Sequence, residues 1–169
     1  MLLSKSCLYG IRAALYLATQ DTNRYVPIME ISERLKISFH FLTKILQTLT
    51  EKKLLHSYRG PNGGIALAKP GEQVTLLDII DSIDGLEVFN GCILGLPGCG
   101  EQRPCPLHDK WAAQRAATKQ IFATTTVGEL AARVEQYDLR LTEVDLIEQV
   151  NTPNGSAPQV KDSYKQWQC

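Results

Sequence analysis

The chain has 169 residues, of which 44% are hydrophobic and 21% are charged, and its 18 Lys and Arg balance its 18 Asp and Glu. This is the composition of an ordinary globular protein, which excludes a disordered or fibrous chain. No apolar run reaches the roughly 18 residues that span a bilayer, and the first residues lack the order of a signal peptide, so we expect a cytoplasmic protein without membrane contact.

Charge is divided unevenly along the chain. Residues 1–70 hold ten Lys and Arg against four Asp and Glu, whereas residues 71–169 hold eight against fourteen. A basic first part beside an acidic second part indicates a module that binds a polyanion. Random variation of surface charge is the alternative explanation.

Apolar periodicity predicts three helices in the first 52 residues. The first follows a stripe from Leu3 to Ala18, and the second begins after Pro27 and breaks near Lys36. Ser38 is the predicted N-cap of the third helix, which runs to about Lys52. The predicted buried side of this third helix consists of Phe41, Leu42, Ile45, Leu46 and Leu49.

The opposite side of the third helix suits contact with nucleic acid. It carries His40, Thr43, Lys44 and Gln47, whose spacing places them on one strip, and none of them is acidic. Two short helices joined by a tight turn form a helix-turn-helix unit, whose second helix enters the major groove. A merely solvated helix face is the alternative.

A hairpin is predicted next. Residues 54–58 and 65–68 are predicted strands, joined by the tip Arg59-Gly60-Pro61-Asn62-Gly63-Gly64. A hairpin directly after a helix-turn-helix is a wing, which makes Arg59, Asn62 and Gly63 candidates for DNA contact. Small tip residues let the backbone approach a phosphate, and a guanidinium suits a narrow minor groove. An ordinary hairpin has the same composition, but the order of elements favours a DNA-binding winged helix.

Helices are also predicted after the wing. One begins at Thr75 and ends at Asp84-Gly85, and an Ala-rich helix begins near Pro106. We interpret the Ala-rich helix as a dimerisation helix, with packing inside one chain as the alternative. Thr126 and Glu129 have the spacing of a capping box that opens a last helix.

The predicted organisation has three parts. Residues 1–70 form the winged helix-turn-helix domain, and residues 71–137 form a cysteine loop and the dimerisation helix. Residues 138–169 are expected to be a partly mobile C-terminal extension, in which residues 138–149 have the pattern of an amphipathic helix.

The cysteine loop is the most informative motif. Cys92, Cys99 and Cys105 lie within fourteen residues, and His108 follows three residues later. Three thiolates and one imidazole can hold a tetrahedral zinc ion or an iron–sulfur cluster. The wide, glycine-rich spacing differs from tight zinc knuckles and favours a cluster. Three thiols without a metal are the remaining alternative.

Together these features resemble the Rrf2 family of bacterial winged-helix regulators, which includes the iron–sulfur cluster regulator IscR. The resemblance covers roughly residues 1–135. It is carried by Ile31-Ser32-Glu33-Arg34-Leu35, Ile37-Ser38, Phe41-Leu42, the hairpin tip, the three cysteines and Thr126-Val127-Gly128-Glu129-Leu130. It implies a homodimer with a long C-terminal dimerisation helix and a cluster held by the three cysteines.

The resemblance also bears on the type of cluster. In IscR-like members, a histidine at the position of His108 completes a 2Fe–2S site. Other members hold 4Fe–4S with a ligand from the partner's first helix, which is acidic in the nitric-oxide sensors. Leu8 and Arg12 occupy that region here and no carboxylate precedes Asp21. The resemblance therefore favours 2Fe–2S and leaves 4Fe–4S open. Thr43 stands where IscR has an acidic residue, so the operator preference of IscR cannot be assumed for this chain.

We therefore predict a mainly α-helical protein with a small β-wing, which acts as a homodimeric transcription regulator on a double-stranded DNA operator. Its predicted signal is redox state, nitric oxide or iron–sulfur supply. The alternatives are a winged-helix regulator with structural zinc or no metal, and an iron–sulfur electron-transfer or carrier protein. An enzyme is not expected, because the sequence has no P-loop, nucleophile elbow or paired acid–base motif.

Overall fold

The computed structural model describes residues 2–20, 24–61, 63–97, 102–137, 139 and 141. Its helices and strands are α1 (Lys5–Ala18), α2 (Ile28–Leu35), α3 (Phe39–Glu51), β1 (Leu55–Tyr58), β2 (Gly64–Leu67), α4 (Leu76–Ile83), α5 (His108–Thr124) and α6 (Val127–Tyr137). The prediction of a mainly α-helical fold with a small antiparallel sheet is confirmed. Within these ranges no helix combines the length and hydropathy needed to cross a bilayer.

Helix α1 lies at the centre of the fold and contacts α3, α4 and α6. It begins at Ser4, whose hydroxyl accepts a hydrogen bond from the backbone N–H of Cys7. Gly10 faces α3 and α4 at their closest approach. A Cβ atom there would lie 2.5 Å from Cδ1 of Ile83 and 3.3 Å from Cγ2 of Ile45. The missing side chain therefore lets three helices share one core.

Helix α2 is held against α1 through Glu30 in its first turn. The Glu30 carboxylate accepts hydrogen bonds from the Tyr16 hydroxyl at 3.1 Å and from the Arg24 guanidinium at 2.6 Å. Burial raises the pKa of Tyr16, and its hydrogen bond to Glu30 adds to that shift. These contacts fix the first helix of the helix-turn-helix unit relative to the core.

Strands β1 and β2 form the predicted hairpin, with Leu55 opposite Leu67 and Tyr58 opposite Gly64. An isolated antiparallel bridge pairs Val26 with Ile65 of β2, and sequence reasoning did not predict this pairing. A Cβ atom at Gly64 would lie 2.4 Å from the carbonyl oxygen of Val26. Glycine is required at this position because the neighbouring backbone comes so close.

Helices α4 and α6 begin where the sequence predicts, and α5, which is predicted to begin near Pro106, begins at His108. Thr75 and Asp78 form a reciprocal capping box at the start of α4, and the backbone N–H of Glu129 donates to the Thr126 hydroxyl at the start of α6. After Asp84 the chain turns through Gly85 at φ +73°. Of the extension predicted for residues 138–169, all but Leu139 and Leu141 lie outside the described residues.

Candidate DNA interface and cysteine loop

A tight turn sets the angle between α2 and α3. Lys36 adopts a left-handed conformation at φ +54°, which ends α2. The buried hydroxyl of Ser32 donates to the carbonyl oxygen of Ile37 at 2.6 Å, and the N–H of Ile37 donates to the carbonyl of Ser32 at 3.0 Å. These two bonds give the buried polar groups of Ser32 and Ile37 their hydrogen-bond partners and stabilise the turn.

The polar strip predicted on α3 faces solvent. His40, Lys44 and Gln47 are exposed and Thr43 is half-buried, while Leu42, Ile45, Leu46 and Leu49 are buried on the other side. The Thr43 hydroxyl donates to the carbonyl oxygen of Phe39 within the helix, which leaves the hydroxyl lone pairs available as acceptors. Ser38 lies at the N-cap position and is exposed, but its side chain makes no capping hydrogen bond.

The prediction that Phe41 is buried is wrong. Its side chain is 38% exposed and packs edge-on against Tyr9 of α1, with the two ring centroids 5.8 Å apart. The Arg12 guanidinium lies over the Tyr9 ring, 5.8 Å from the ring centroid. Phe41 is therefore part of a surface aromatic contact at the flank of the polar strip. Phe39, at the first position of α3, is 36% exposed on the other flank.

The wing presents a compact turn at its tip. Arg59 is exposed, and the N–H of Gly63 donates to the carbonyl oxygen of Gly60 at 2.9 Å. A Cβ atom at Gly63 would lie 2.5 Å from the carbonyl oxygen of Tyr58, which explains why glycine occupies the tip. Asn62 lies outside the described residues. The Tyr58 ring is exposed and packs against Tyr25, with their centroids 5.5 Å apart.

The cysteine loop brings two of its predicted ligands together. The sulfur atoms of Cys92 and Cys105 lie 3.7 Å apart, although thirteen residues separate them, and both side chains are partly buried. A turn closes immediately after Cys92, where the N–H of Gly95 donates to the Cys92 carbonyl and Gly95 has φ +70°. The described part of the loop contains neither an α-helix nor a strand.

The separation of the two sulfurs fits ligands of a single metal ion. A thiolate lies about 2.3 Å from a tetrahedral metal, so two thiolates on one ion are about 3.7–3.8 Å apart. A disulfide would instead hold the sulfurs at about 2.05 Å. The 3.7 Å contact is a hydrogen bond between two free thiols, and the same separation would suit two ligands of one tetrahedral zinc or of one iron of a cluster.

The other two predicted ligands are placed differently. Cys99 lies outside the described residues. His108 begins α5, and its backbone N–H donates to the carbonyl oxygen of Cys105 at 2.9 Å. In the part of the chain that the structure describes, no group of three His, Cys, Asp or Glu side chains is arranged to hold a metal ion. Cys105 and His108 are thus connected by a backbone hydrogen bond. The set of four ligands stays a prediction.

Two side chains of α5 donate hydrogen bonds to the backbone of the cysteine loop. The sequence analysis did not predict either of them. The Trp111 indole N–H donates to the carbonyl oxygen of Gly91 at 2.9 Å. Arg115 donates from Nη1 to the carbonyl oxygens of Asn90 and Gly91, at 3.1 and 3.2 Å. Trp111 and Arg115 are four residues apart and share one helix face. Their four-residue spacing is visible in the sequence, but the backbone carbonyls that they bind are not.

Helix α5 has an unusual burial pattern. None of its 17 residues, all of which are described, is buried, and Ile121 is 61% exposed. Its contacts with the rest of the chain include the pair of Phe122 with Phe89, whose ring centroids are 5.9 Å apart. A long helix without a buried side chain leaves apolar surface uncovered in a single copy of the chain.

Comparison with known proteins agrees with this architecture. The family profile of Rrf2, described as an iron-dependent transcriptional regulator, matches residues 3–133. The regulator NsrR of Shouchella clausii is 32% identical over 140 residues, which are 78% of this chain and 88% of that protein. The regulator IscR of Cronobacter sakazakii is 30% identical over 131 residues, 78% and 80% of the two chains.

Solved structures have the same fold. The structure of CymR, the global cysteine regulator of B. subtilis, superposes with a TM-score of 0.66 over 78% of this chain and 96% of that one. Its sequence identity is 24%, so this likeness shows the fold alone. The family match covers the winged helix, the cysteine loop and α5 together. The chain therefore belongs to the Rrf2 family, whose members are DNA-binding transcription regulators and not enzymes.

Proposed function

We propose that this regulator is a homodimer that senses redox state, nitric oxide or iron–sulfur supply through a bound iron–sulfur cluster. Cys92, Cys99, Cys105 and His108 are the proposed ligands, and 2Fe–2S is the favoured cluster. The observation that carries the proposal is the 3.7 Å separation of the Cys92 and Cys105 sulfurs, which matches two thiolates on one tetrahedral metal. When bound, the cluster would supply a redox-active and chemically labile centre beside the dimer helix.

The DNA-binding role is assigned to α3 and the wing. The polar strip of α3 would read base edges and phosphates, with Ser38 and His40 at its N-terminal end where recognition helices contact bases. Arg59, Asn62 and Gly63 would anchor the wing. In a two-fold dimer, the two copies of α3 would enter successive major grooves about 34 Å apart on a near-palindromic operator.

The proposed dimer contact is α5. Its unburied side chains and the exposed Ile121 support a second copy of the chain as the covering partner. Residues 71–137 would then hold both the ligands and the dimer contact, while residues 1–70 hold the DNA face. The loop joins the end of α4 to the start of α5, so a change in the loop acts on the segment that connects the two parts.

Anaerobic purification tests the cluster directly. We expect a coloured protein whose iron and acid-labile sulfide are present in equal amounts, with the Mössbauer spectrum of a 2Fe–2S site. A 4Fe–4S spectrum would keep the sensor and change its nuclearity. A colourless protein with one zinc per chain would replace the cluster by a structural metal, and a colourless metal-free protein would remove the metal altogether.

Substitution separates ligation from general damage. Cys92→Ser is expected to lose the chromophore and alter affinity for the DNA duplex that the wild type selects from a randomised library. Cys169→Ser, which removes a cysteine from outside the cysteine loop, is the matched control and should keep both. Absence of DNA binding in every metal state would instead favour an electron-transfer or carrier protein.

A further inference from the structure

The backbone immediately before Cys92 is bound to α5 by the side chains of Trp111 and Arg115. The carbonyl oxygen of Gly91 accepts from the Trp111 indole N–H at 2.9 Å and from the Arg115 guanidinium at 3.2 Å. The same guanidinium nitrogen lies 3.1 Å from the carbonyl oxygen of Asn90. Three donor–acceptor contacts therefore converge on two consecutive peptide groups.

These contacts determine where Cys92 lies. The Gly91 carbonyl belongs to the peptide unit that joins Gly91 to Cys92, and the atoms of such a unit lie in one rigid plane. A hydrogen bond that holds the Gly91 oxygen consequently also holds the N and Cα atoms of Cys92. Trp111 and Arg115 thus hold a proposed cluster ligand in place without touching the cluster.

The opposite end of the segment is also anchored. The N–H groups of Asn90 and Gly91 both donate to the carbonyl oxygen of Glu87, at 2.9 and 3.1 Å. Phe89 is buried and packs against Phe122 of α5. The backbone from Glu87 to Gly91 is held by hydrogen bonds within the segment and by contacts with α5. It therefore has few ways to change conformation when Cys92 is displaced.

We propose that Trp111 and Arg115 are positioning residues that couple the position of Cys92 to helix α5. A shift of Cys92 on gain or loss of the cluster would either move α5 with it or break the contacts at Gly91. The α5 side chains that pack on the rest of the chain, Phe122 among them, are partly buried and none is fully buried, so α5 can shift at a lower cost than a core helix. This inference rests on the proposed function and adds the residues through which the loop acts on the dimer helix.

The positional part is tested on the cluster-free protein. Trp111→Phe keeps an aromatic ring and loses the N–H donor, and Arg115→Gln removes the guanidinium. We expect amide hydrogen exchange in residues 86–97 to be at least about ten times faster in the double variant than in the wild type. Lys110→Gln, an exposed residue of the same helix with the same charge change, should leave exchange unchanged. Equal exchange in the double variant and the wild type would overturn the proposal.

The coupling part is tested by DNA affinity. The probe is the duplex selected by the wild type from a randomised library, and the measured quantity is the ratio of Kd between cluster-loaded and cluster-free protein. Allosteric ratios are commonly about 5- to 150-fold. We expect the wild-type ratio to fall toward one in the double variant while its visible chromophore persists, and to be kept in Lys110→Gln.

The outcomes distinguish the inference from the proposed function. A double variant that keeps both its chromophore and the wild-type ratio overturns the coupling while the sensor stands. A wild-type protein without a chromophore would overturn the cluster sensor. It would also overturn the coupling of a cluster to α5. The exchange experiment still decides in that case whether Trp111 and Arg115 position the loop.

Discussion

The carboxylate of Asp84 accepts hydrogen bonds from both the backbone N–H and the hydroxyl of Ser4, although 80 residues separate the two. Ser4 is the N-cap of α1, and Asp84 ends α4. A carboxylate beside a helix N-terminus is favoured by the helix dipole and by the unpaired N–H groups there. This contact joins the start of α1 to the chain segment that leads into the cysteine loop.

Asp84→Ala is expected to destabilise the protein. The change removes two hydrogen bonds and a favourable charge at the start of α1, which together contribute about 1–2 kcal/mol to the free energy of unfolding. Urea denaturation measures the loss. Asp81→Ala, on an exposed position of the same helix, is the matched control and should stay within about 0.5 kcal/mol of the wild type. Equal losses in both variants would show that the bonds to Ser4 contribute nothing.

The buried thiol of Cys7 is expected to lower the free energy of unfolding at alkaline pH. Burial, followed by the charge of Asp84 and a hydrogen bond to it, raises the pKa of Cys7 from 9.0 to about 12. The unfolded chain therefore loses this proton first as pH rises, and the folded state is progressively disfavoured between pH 9 and about 12. One such group lowers the free energy of unfolding by at most about 1.4 kcal/mol per pH unit.

Comparison with Cys7→Ala isolates this effect from other groups that titrate in the same range. We expect urea denaturation at pH 7.5, 9.5 and 10.5 to show a shallower decline for Cys7→Ala than for the wild type. At pH 7.5 the variant should itself be less stable by about 1 kcal/mol, because it leaves a small cavity in the core. Parallel pH profiles would exclude a raised pKa at Cys7.

Helices α1 to α3 can be predicted from sequence periodicity, because one face of each helix must be buried. Periodicity fails at Phe41, since it records the hydrophobicity of a side chain and not the neighbour that covers it. Tyr9 packs against the Phe41 ring with the two ring planes at 84°, and 38% of the residue stays exposed. The bridge between Val26 and Ile65 was missed for a similar reason, because pairing between distant segments has no local signal.

The cysteine loop shows the same limit. Clustering of Cys92 and Cys105 predicts a shared metal, because thiolates in proximity in the sequence can converge in space. Their 3.7 Å separation depends on the fold of the whole loop. The hydrogen bonds from Trp111 and Arg115 end on backbone carbonyls, which have no identity in a sequence, so only the structure shows them.

Gly128 offers a test in which helix propensity and packing make opposite predictions. It lies in the first turn of α6 beside the backbone of Gly71, and a Cβ atom there would lie 2.7 Å from the backbone N of Glu72 and 2.8 Å from the Gly71 carbonyl carbon. Propensity alone predicts that Gly128→Ala stabilises α6 by about 1 kcal/mol. The clash with backbone predicts a loss of about 1–3 kcal/mol instead.

Thermal or urea unfolding decides between the two. Ala132→Gly, at an exposed position of the same helix, should cost about 1 kcal/mol from propensity. The structure therefore predicts that both substitutions destabilise, whereas propensity alone predicts opposite signs. A stabilised Gly128→Ala variant would contradict the close contact between α6 and the turn at Gly71.

Ile121 tests the proposed dimer contact. Its side chain is 61% exposed on α5, and burial against a second copy would make a charge there costly. Ile121→Glu is expected to weaken dimerisation at least about tenfold in sedimentation equilibrium. Gln120→Glu adds the same charge at the neighbouring exposed position, which points in another direction around the helix, and should have a smaller effect. A dimer unchanged by Ile121→Glu would place the interface elsewhere.

The salt dependence of DNA binding tests the assignment of the polar strip. Each phosphate contact releases counterions, so the slope of log K against log salt concentration reports the number of contacts. Lys44 is exposed on α3, and a dimer presents two copies of it. We expect Lys44→Gln to make the slope shallower by about 2, one contact per subunit, with a similar loss of affinity on all duplex sequences.

Lys110→Gln makes the same charge change on α5, outside the proposed interface, and should leave the slope at the wild-type value. If both variants shifted the slope equally, overall charge rather than contact at α3 would govern binding. A wild-type slope in Lys44→Gln would remove this lysine from the DNA face.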